Sequence, residues 1–212
     1  MVTKKSILIT AGSTWIALDK VRVISNTASG QTGFILADKF KKLGAKITLL
    51  LGPGDFYSLK PQGIKIIRFK YFSELERLLK KELEKNKYAA VIHAAAVSDY
   101  QPEKEIYHKV SSRLDSWKIN LVPTIKLVDN LKNYGPGLIS VGFKFEPDAG
   151  KSRLIEKGNK LLKQADLDLV VANSNKNKAY QSYILDGKNK YGPFLSKRAM
   201  AGSLSKLVEK RL

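Results

Sequence analysis

The chain of 212 residues carries 38 Lys+Arg against 19 Asp+Glu, a formal net charge of +19, with 43% hydrophobic residues and no cysteine. That apolar share is too high for disorder and fits one large packed domain or two small ones. Without cysteine there are no disulfides, thiolate metal sites or protein thiol nucleophiles, and two histidines, His93 and His108, make a multi-histidine metal site improbable.

The apolar run before Thr10 is too short for a signal peptide, and no stretch approaches the ~18 apolar residues of a membrane span. The cytoplasm is therefore the expected compartment, with no membrane partner. Ser6–Thr10 (SILIT) reads as a first strand. Gln31–Leu43 has Phe34, Ala37 and Phe40 at helical spacing and Gly44 as a C-cap. Lys46–Leu51 (KITLLL) is a continuous apolar run, as in a strand buried on both faces of a parallel sheet. Lys65–Phe69 reads as a short strand. Ser73 is the expected cap of a helix to about Lys85, with a stripe of Leu75, Leu78, Leu79 and Leu83.

Tyr88–His93 returns to strand. The Asp99–Lys118 stretch has little periodicity and is long for a structureless connection, and loops of that kind are often functional. Trp117–Leu121 reads as a strand that follows it. Leu138–Phe143, Lys151–Gln164 and Leu167–Ala172 repeat strand, helix, strand, and Lys197–Leu212 reads as a closing helix. This alternation specifies an α/β fold: a three-layer, Rossmann-like arrangement with a mostly parallel sheet and a small excursion or arm around residues 99–121. No linker or repeat divides it, so residues 1–212 read as a single domain.

In such sheets ligands bind beyond the C-terminal ends of the strands. After the first strand come Gly12, Ser13 and Thr14, then Arg22, Asn26, Ser29, Gly30 and Gly33. The last two open a helix whose free N–H groups suit a phosphate, although a plain packing turn uses the same residues. The dinucleotide fingerprint is absent, because residues 13–30 separate the first turn from that helix. Gly52-Pro53-Gly54 allows close backbone approach or simply makes a turn. Ala94–Ala96 leave room for a flat ligand, with Asp99 placed to hold a hydroxyl, a base edge or a metal. His93, ending a buried run, reads more readily as a core histidine.

Tyr100 and Lys104 have the spacing of a dehydrogenase pair, but Pro102 disfavours the helix this requires. Lys109 lies in the long loop, where it could close over a phosphate. Lys157, Lys160 and Lys163 lie on one predicted helix as a binding face or a solvated one. The basic excess is spread along the chain with no tail or basic block, so nucleic acid is not an expected partner.

Taken in order, Ile9–Gly33 (ITAGST…D-x-VR-x-ISN-x-x-SG-x-x-G), Ala94–Pro102 (AAAVSDYQP), Lys109–Ser112 (KVSS), Val141–Phe143 (VGF) and Asp168–Asn173 (DLVVAN) resemble phosphopantothenoylcysteine synthetase, the second activity of the bacterial coenzyme A biosynthesis flavoprotein. The resemblance implies a ligase that activates the carboxylate of 4′-phosphopantothenate with a nucleoside triphosphate. CTP is favoured and ATP possible, Mg²⁺ accompanies the triphosphate, and L-cysteine then takes the acyl group. It implies catalytic roles for Asn26 and Arg22. Nucleotide contacts fall to Gly12, Ser13, Asp99, Lys109, Phe143, Lys157, Lys160 and Lys163, with the register of those lysines open. Phosphopantothenate contacts fall to Asn26, Ser29, Gly30 and Gly33, and the metal ligands are unassigned.

No flavin is expected in a monofunctional form, whose decarboxylase would be a separate pathway partner. A homodimer is expected, with the arm bridging to the second copy. Three departures stand out. Gly12-Ser13-Thr14 replaces Gly-Gly-Thr. Lys109-Val110-Ser111-Ser112 replaces Lys-Ile-Lys-Lys, a form also found in relatives that use ATP. Thr124-Ile125-Lys126 replaces Asn-Pro-Asp. A nicotinamide-dependent reductase and a basic nucleic-acid-binding protein are the competing readings.

Overall fold

The computed structural model describes residues 5–85 and 87–212, apart from the side chain of Lys178. Residues 1–4 of the N-terminal stretch that was weighed as a signal lie outside the described residues. The chain begins with β1 (Ser6–Ala11), β2 (Trp15–Ala17), β3 (Val23–Ser25), α1 (Gln31–Lys42), β4 (Lys46–Leu51) and β5 (Lys65–Arg68). It continues through α2 (Phe72–Lys85), β6 (Ala90–His93), β7 (Tyr100–Pro102) and β8 (Leu121–Pro123). A short 3₁₀ turn (Leu127–Asn130) leads into α3 (Leu131–Tyr134), then β9 (Ile139–Phe145), α4 (Lys151–Gln164) and β10 (Leu169–Ser174). The hairpin β11 (Gln181–Leu185) and β12 (Lys190–Phe194) precedes α5 (Lys197–Glu209).

The main sheet runs β12-β11-β10-β9-β6-β1-β4-β5. From β5 to β10 all neighbours are parallel, and the β11–β12 hairpin adds an antiparallel edge. The parallel part has the doubly wound order, reversing direction between β1 and β6. Strand alternation explains the three layers. Ile7 and Ile9 pack with Leu36 and Phe40 of α1 and Met200 and Leu204 of α5, whereas Leu8 packs with Leu75 and Leu79 of α2 and Leu131 of α3. On that second side Leu154 of α4 covers Ala172, Tyr183 and Leu185. Truncating a fully buried leucine such as Leu75 to Ala costs about 2–5 kcal/mol.

Several local expectations shift. Helix α2 begins at Phe72, and Ser73 does not cap it. The Glu74 carboxylate accepts instead from the backbone N–H groups of Lys70 and Tyr71. The predicted strand at Trp117–Leu121 is displaced to β8, where Leu121 pairs with Pro102 of β7. Proline has no N–H to extend the ladder, and one further bond, Glu103 N–H to the Asn120 carbonyl, closes the base of the arm. Tyr100 lies in a strand rather than a helix, which removes the dehydrogenase arrangement. The β2–β3 ribbon and the β11–β12 hairpin are additions to the predicted elements. Among the described residues no helix is long and apolar enough to cross a membrane.

Candidate active site

The reversal of strand order between β1 and β6 leaves a crevice above their C-terminal ends, because the chains leaving them turn to opposite sides. A cleft of about 1360 Å³ occupies this position, lined by residues 26–33, 93–99, 125–129, 143–146 and 173–175 with one face of α4. It has two limbs. The N-terminus of α1, Tyr180 and Lys197 border the limb on the α1/α5 side, where Phe143 also packs. The 3₁₀ turn and Lys157, Lys160 and Leu161 border the limb on the α2/α4 side.

Local chemistry shapes the α1 limb. Gly30 is the N-cap of α1 in a left-handed conformation (φ 83°). A Cβ on Gly33 would lie 2.2 Å from the Ala11 Cβ, so only glycine lets the first turn of α1 sit on the end of β1. The Gln31 N–H is taken by the Ser29 hydroxyl, and the N–H groups of Thr32 and Gly33, both in the cleft lining, are left for a ligand. Gly12 (φ 82°) lies against Gly52, where its Cβ would meet the Gly52 carbonyl oxygen at 2.3 Å. The Gly52–Gly54 segment is thus a packing turn against β1 and does not line the cleft.

The Asn26 Nδ2 donates to the carbonyls of Ala96 and Val97 at 3.3 and 3.0 Å. Its amide therefore ties the α1 approach to the segment after β6. Donation to a ligand oxygen requires exchange of one of these bonds. Between β1 and β6, the Thr10 hydroxyl accepts from Ala95 N–H and meets His93 Nδ1 at 3.0 Å. Burial pushes the His93 imidazole down to about 4, so the ring is neutral at physiological pH. Ser174, fully buried, also lines the cleft, and its Oγ has no hydrogen-bond partner among the described residues.

Cations dominate the lining: Lys126, Lys144, Arg153, Lys157, Lys160 and Lys197, against Asp99, Asp129 and Glu146. Lys126 pairs with Asp99. Burial would raise the Glu146 carboxyl, but Lys144 and Arg153 beside it hold it below its ordinary value. Among the described residues no group of three or more His, Cys, Asp or Glu side chains could hold a metal ion. The arrangement suits polyanions, with fixed cations on α4 and free amides on α1.

The cleft gathers Gly12, Asn26, Ser29, Gly30, Gly33, Asp99, Phe143, Lys157 and Lys160 of the residues singled out in the sequence. It does not gather Ser13, Arg22, Lys109 or Lys163. Ser13 is buried, with its N–H and Oγ both donating to the Pro53 carbonyl. Lys163 is exposed, because at 100° per residue the cleft stripe of α4 runs through Arg153, Lys157, Lys160 and Gln164. The Arg22 guanidinium is 2.9 Å from Asp19, reaches the Val110 carbonyl and stacks 5.1 Å over Trp117. Lys109 is exposed on the arm beside that contact.

Asp19 carries a role that the sequence reading missed. Its side chain is fully buried and accepts from the N–H groups of Val21, Arg22 and Val110. Burial would raise its carboxyl, but those donors and the Arg22 charge hold it below the usual value. The Asp-x-x-Arg spacing was the available signal.

Residues 2–211 match the family described as the DNA/pantothenate metabolism flavoprotein C-terminal domain. The chain belongs to this family. It is similar to the coenzyme A biosynthesis bifunctional protein CoaBC of Thermococcus kodakarensis, 32% identical across 98% of this chain and 52% of that protein. The corresponding protein of Borreliella burgdorferi is 34% identical across 96% of this chain and 52% of its own length. The chain thus spans about half the length of the curated relatives it matches. A crystal structure of the C-terminal domain of a CoaBC protein is similar with a TM-score of 0.76 at 25% identity, covering 98% of this chain and 95% of that one. The DNA/pantothenate metabolism flavoprotein of Streptococcus pneumoniae shares the fold, with a TM-score of 0.87 at 21% identity over 98% and 100% of the two chains. In this flavoprotein C-terminal domain the convergence of separated motifs on one cleft becomes a question of substrate.

Proposed function

We propose that residues 1–212 act as a single phosphopantothenate–cysteine ligase domain in coenzyme A biosynthesis. The carrying observation is the cationic, two-limbed cleft, to which the family's C-terminal domain contributes residues from five separated stretches and α4. In this reading a carboxylate oxygen of 4′-phosphopantothenate attacks the α-phosphorus of a nucleoside triphosphate. The bond from that phosphorus to its bridging oxygen breaks, and pyrophosphate leaves with the electron pair. The amine nitrogen of L-cysteine then attacks the acyl carbon, the acyl C–O bond breaks, the nucleoside monophosphate departs and the amine gives up a proton.

The α1 limb, with Ser29, Gly30 and Gly33, suits the phosphorylated acid, and the α4 limb, with Lys157 and Lys160, suits the triphosphate. Gly12, Asp99 and Phe143, which also line the cleft, would contact the nucleotide where it meets the acid. Asn26 would orient the acyl group by exchanging its 3.3 Å bond to Ala96. CTP is the favoured nucleotide and ATP the alternative. Mg²⁺ would arrive on the triphosphate, held mainly by phosphate oxygens and water, where it offsets phosphate charge. No flavin takes part in this step, and a decarboxylase acting on the product is the expected pathway partner in the cytoplasm.

Ser13, Arg22, Lys109 and Lys163 enter only through movement or a second copy. Exposed Val21, Tyr100, Tyr107 and Leu114 around the arm support a homodimer whose arm carries Lys109 toward the partner cleft. Sedimentation at twice the monomer mass supports that arrangement, and a monomer at working concentration contradicts it. For the reaction, the protein is mixed with CTP or ATP, Mg²⁺, 4′-phosphopantothenate and cysteine. Pyrophosphate release that requires phosphopantothenate is the expected result, and silence with both nucleotides overturns the reading.

A further inference from the structure

His93 was read as a core histidine, and its burial fits that, yet its ring has a side that the core does not use. The residue is 6% exposed and belongs to the cleft lining. On β6 the side chains of Ala90 and Ile92 join the α1/α5 layer, and Val91 joins the α2/α3 layer. Alternation therefore sends His93 to the side of Val91, beneath the 3₁₀ turn and the α4 limb.

The proton positions follow from a short count. Thr10 Oγ1 has one proton and two lone pairs. One lone pair takes the Ala95 N–H at 3.1 Å. Thr10 is fully buried, and among the described residues its hydroxyl proton has no other acceptor than His93 Nδ1, 3.0 Å away, so the hydroxyl donates and Nδ1 accepts. A neutral ring must then carry its hydrogen on Nε2. Among the described residues no protein group hydrogen-bonds Nε2, nor is it among their buried unpaired polar atoms, so it is open on the cleft side.

We propose that His93 is a binding residue of the α4 limb, donating Nε2–H to an uncharged acceptor, a ring nitrogen or carbonyl, on the nucleotide base. A buried, uncharged donor suits an uncharged acceptor, and the phosphates have Lys157 and Lys160 within the same limb. Thr10 is a positioning residue that fixes the tautomer. The assignment rests on the ligase reading for the identity of its ligand, and the test separates the two.

Two amide substitutions divide the ring's functions. Asn places an amide near Nδ1 and keeps a partner for Thr10, and Gln places one near Nε2 and keeps the donor to the cleft. For ligand donation, His93→Asn raises the nucleotide KM about tenfold with kcat little changed, and His93→Gln keeps that KM within about threefold. The reverse ranking, or equal effects of both substitutions on kcat, overturns the assignment and leaves the ligase reading intact.

Imidazole ¹⁵N spectra provide a second readout, simple in a chain with two histidines. One histidine is expected as the Nε2–H tautomer, its signal moving on addition of Mg²⁺ with CTP or ATP. An Nδ1–H tautomer, or a signal that neither nucleotide moves, also overturns it. Failure of the wild type to release pyrophosphate would instead remove the ligase reading, and the spectra would still decide whether His93 meets a nucleotide.

Discussion

The rim of the sheet and the 103–120 arm sit a few residues apart in sequence and are held in different ways. At the rim many short interactions share the positioning: Gly33 lets α1 close on Ala11, the Thr10 side chain joins the end of β1 to His93 and Ala95, and the Asn26 amide joins the approach to α1 to Ala96 and Val97. The arm has almost no ladder. One buried carboxylate, Asp19, gathers Val110 and Arg22, and Arg22 in turn holds Val110 and Trp117. A rim of many short interactions keeps its geometry through ligand exchange, whereas an arm hung on one anion can be released by one change.

The first way to test that contrast is acid, which acts on the rim. An unfolded histidine titrates near 6.5 and His93 in the fold near 4, so between those values the unfolded chain binds the extra proton. Stability therefore falls as pH drops from 6.5 toward 4, by about 3 kcal/mol in all from this residue. Denaturant titrations of wild type and His93→Gln should diverge over that range, with the variant showing the shallower loss. Equal slopes would show that His93 is not desolvated.

Asn26→Asp sets a carboxylate oxygen against the carbonyls of Ala96 and Val97. Turnover is expected to drop about 100-fold, with a smaller effect on nucleotide KM. A kcat within twofold of wild type would take Asn26 out of the mechanism. On α4 the comparison is internal. Lys160→Gln should raise the nucleotide KM about 30-fold, because a charged contact is lost. Lys163→Gln, on the exposed side, should change it less than about twofold. Matching effects would mean that the register of α4 in the complex differs.

The smallest expected effect belongs to the arm. Asp19→Asn removes the anion that holds Val110 and Arg22, and proteolytic cleavage within 103–120 should quicken about tenfold while the sheet stays intact. Cleavage at the wild-type rate would show that the arm has other anchors.

The strands that carry this contrast were legible to different degrees. β1, β4 and β6 are continuous apolar runs, because both faces are covered, and α1 announces its end through Gly44. The ribbons β2–β3 and β7–β8 have three residues per strand, too short for alternation to register. The β11–β12 hairpin had a signal that went unread: Asp186-Gly187 opens its turn, where Asp186 accepts from the N–H groups of Lys188 and Asn189. Most candidate residues at the strand ends do face the cleft, since topology alone sends them there. Arg22 and Lys163 do not, because a side chain's direction depends on a buried partner in one case and on the rotation of a helix in the other.

The most direct test of the ligase reading follows an oxygen atom. With ¹⁸O in the carboxylate of 4′-phosphopantothenate, attack on the α-phosphorus and later cleavage of the acyl C–O bond leave one labelled oxygen on the nucleoside monophosphate. Mass spectrometry of the products should find that label in CMP or AMP and none in pyrophosphate. Label in inorganic phosphate, or unlabelled monophosphate alongside phosphopantothenoylcysteine, would contradict the proposed route.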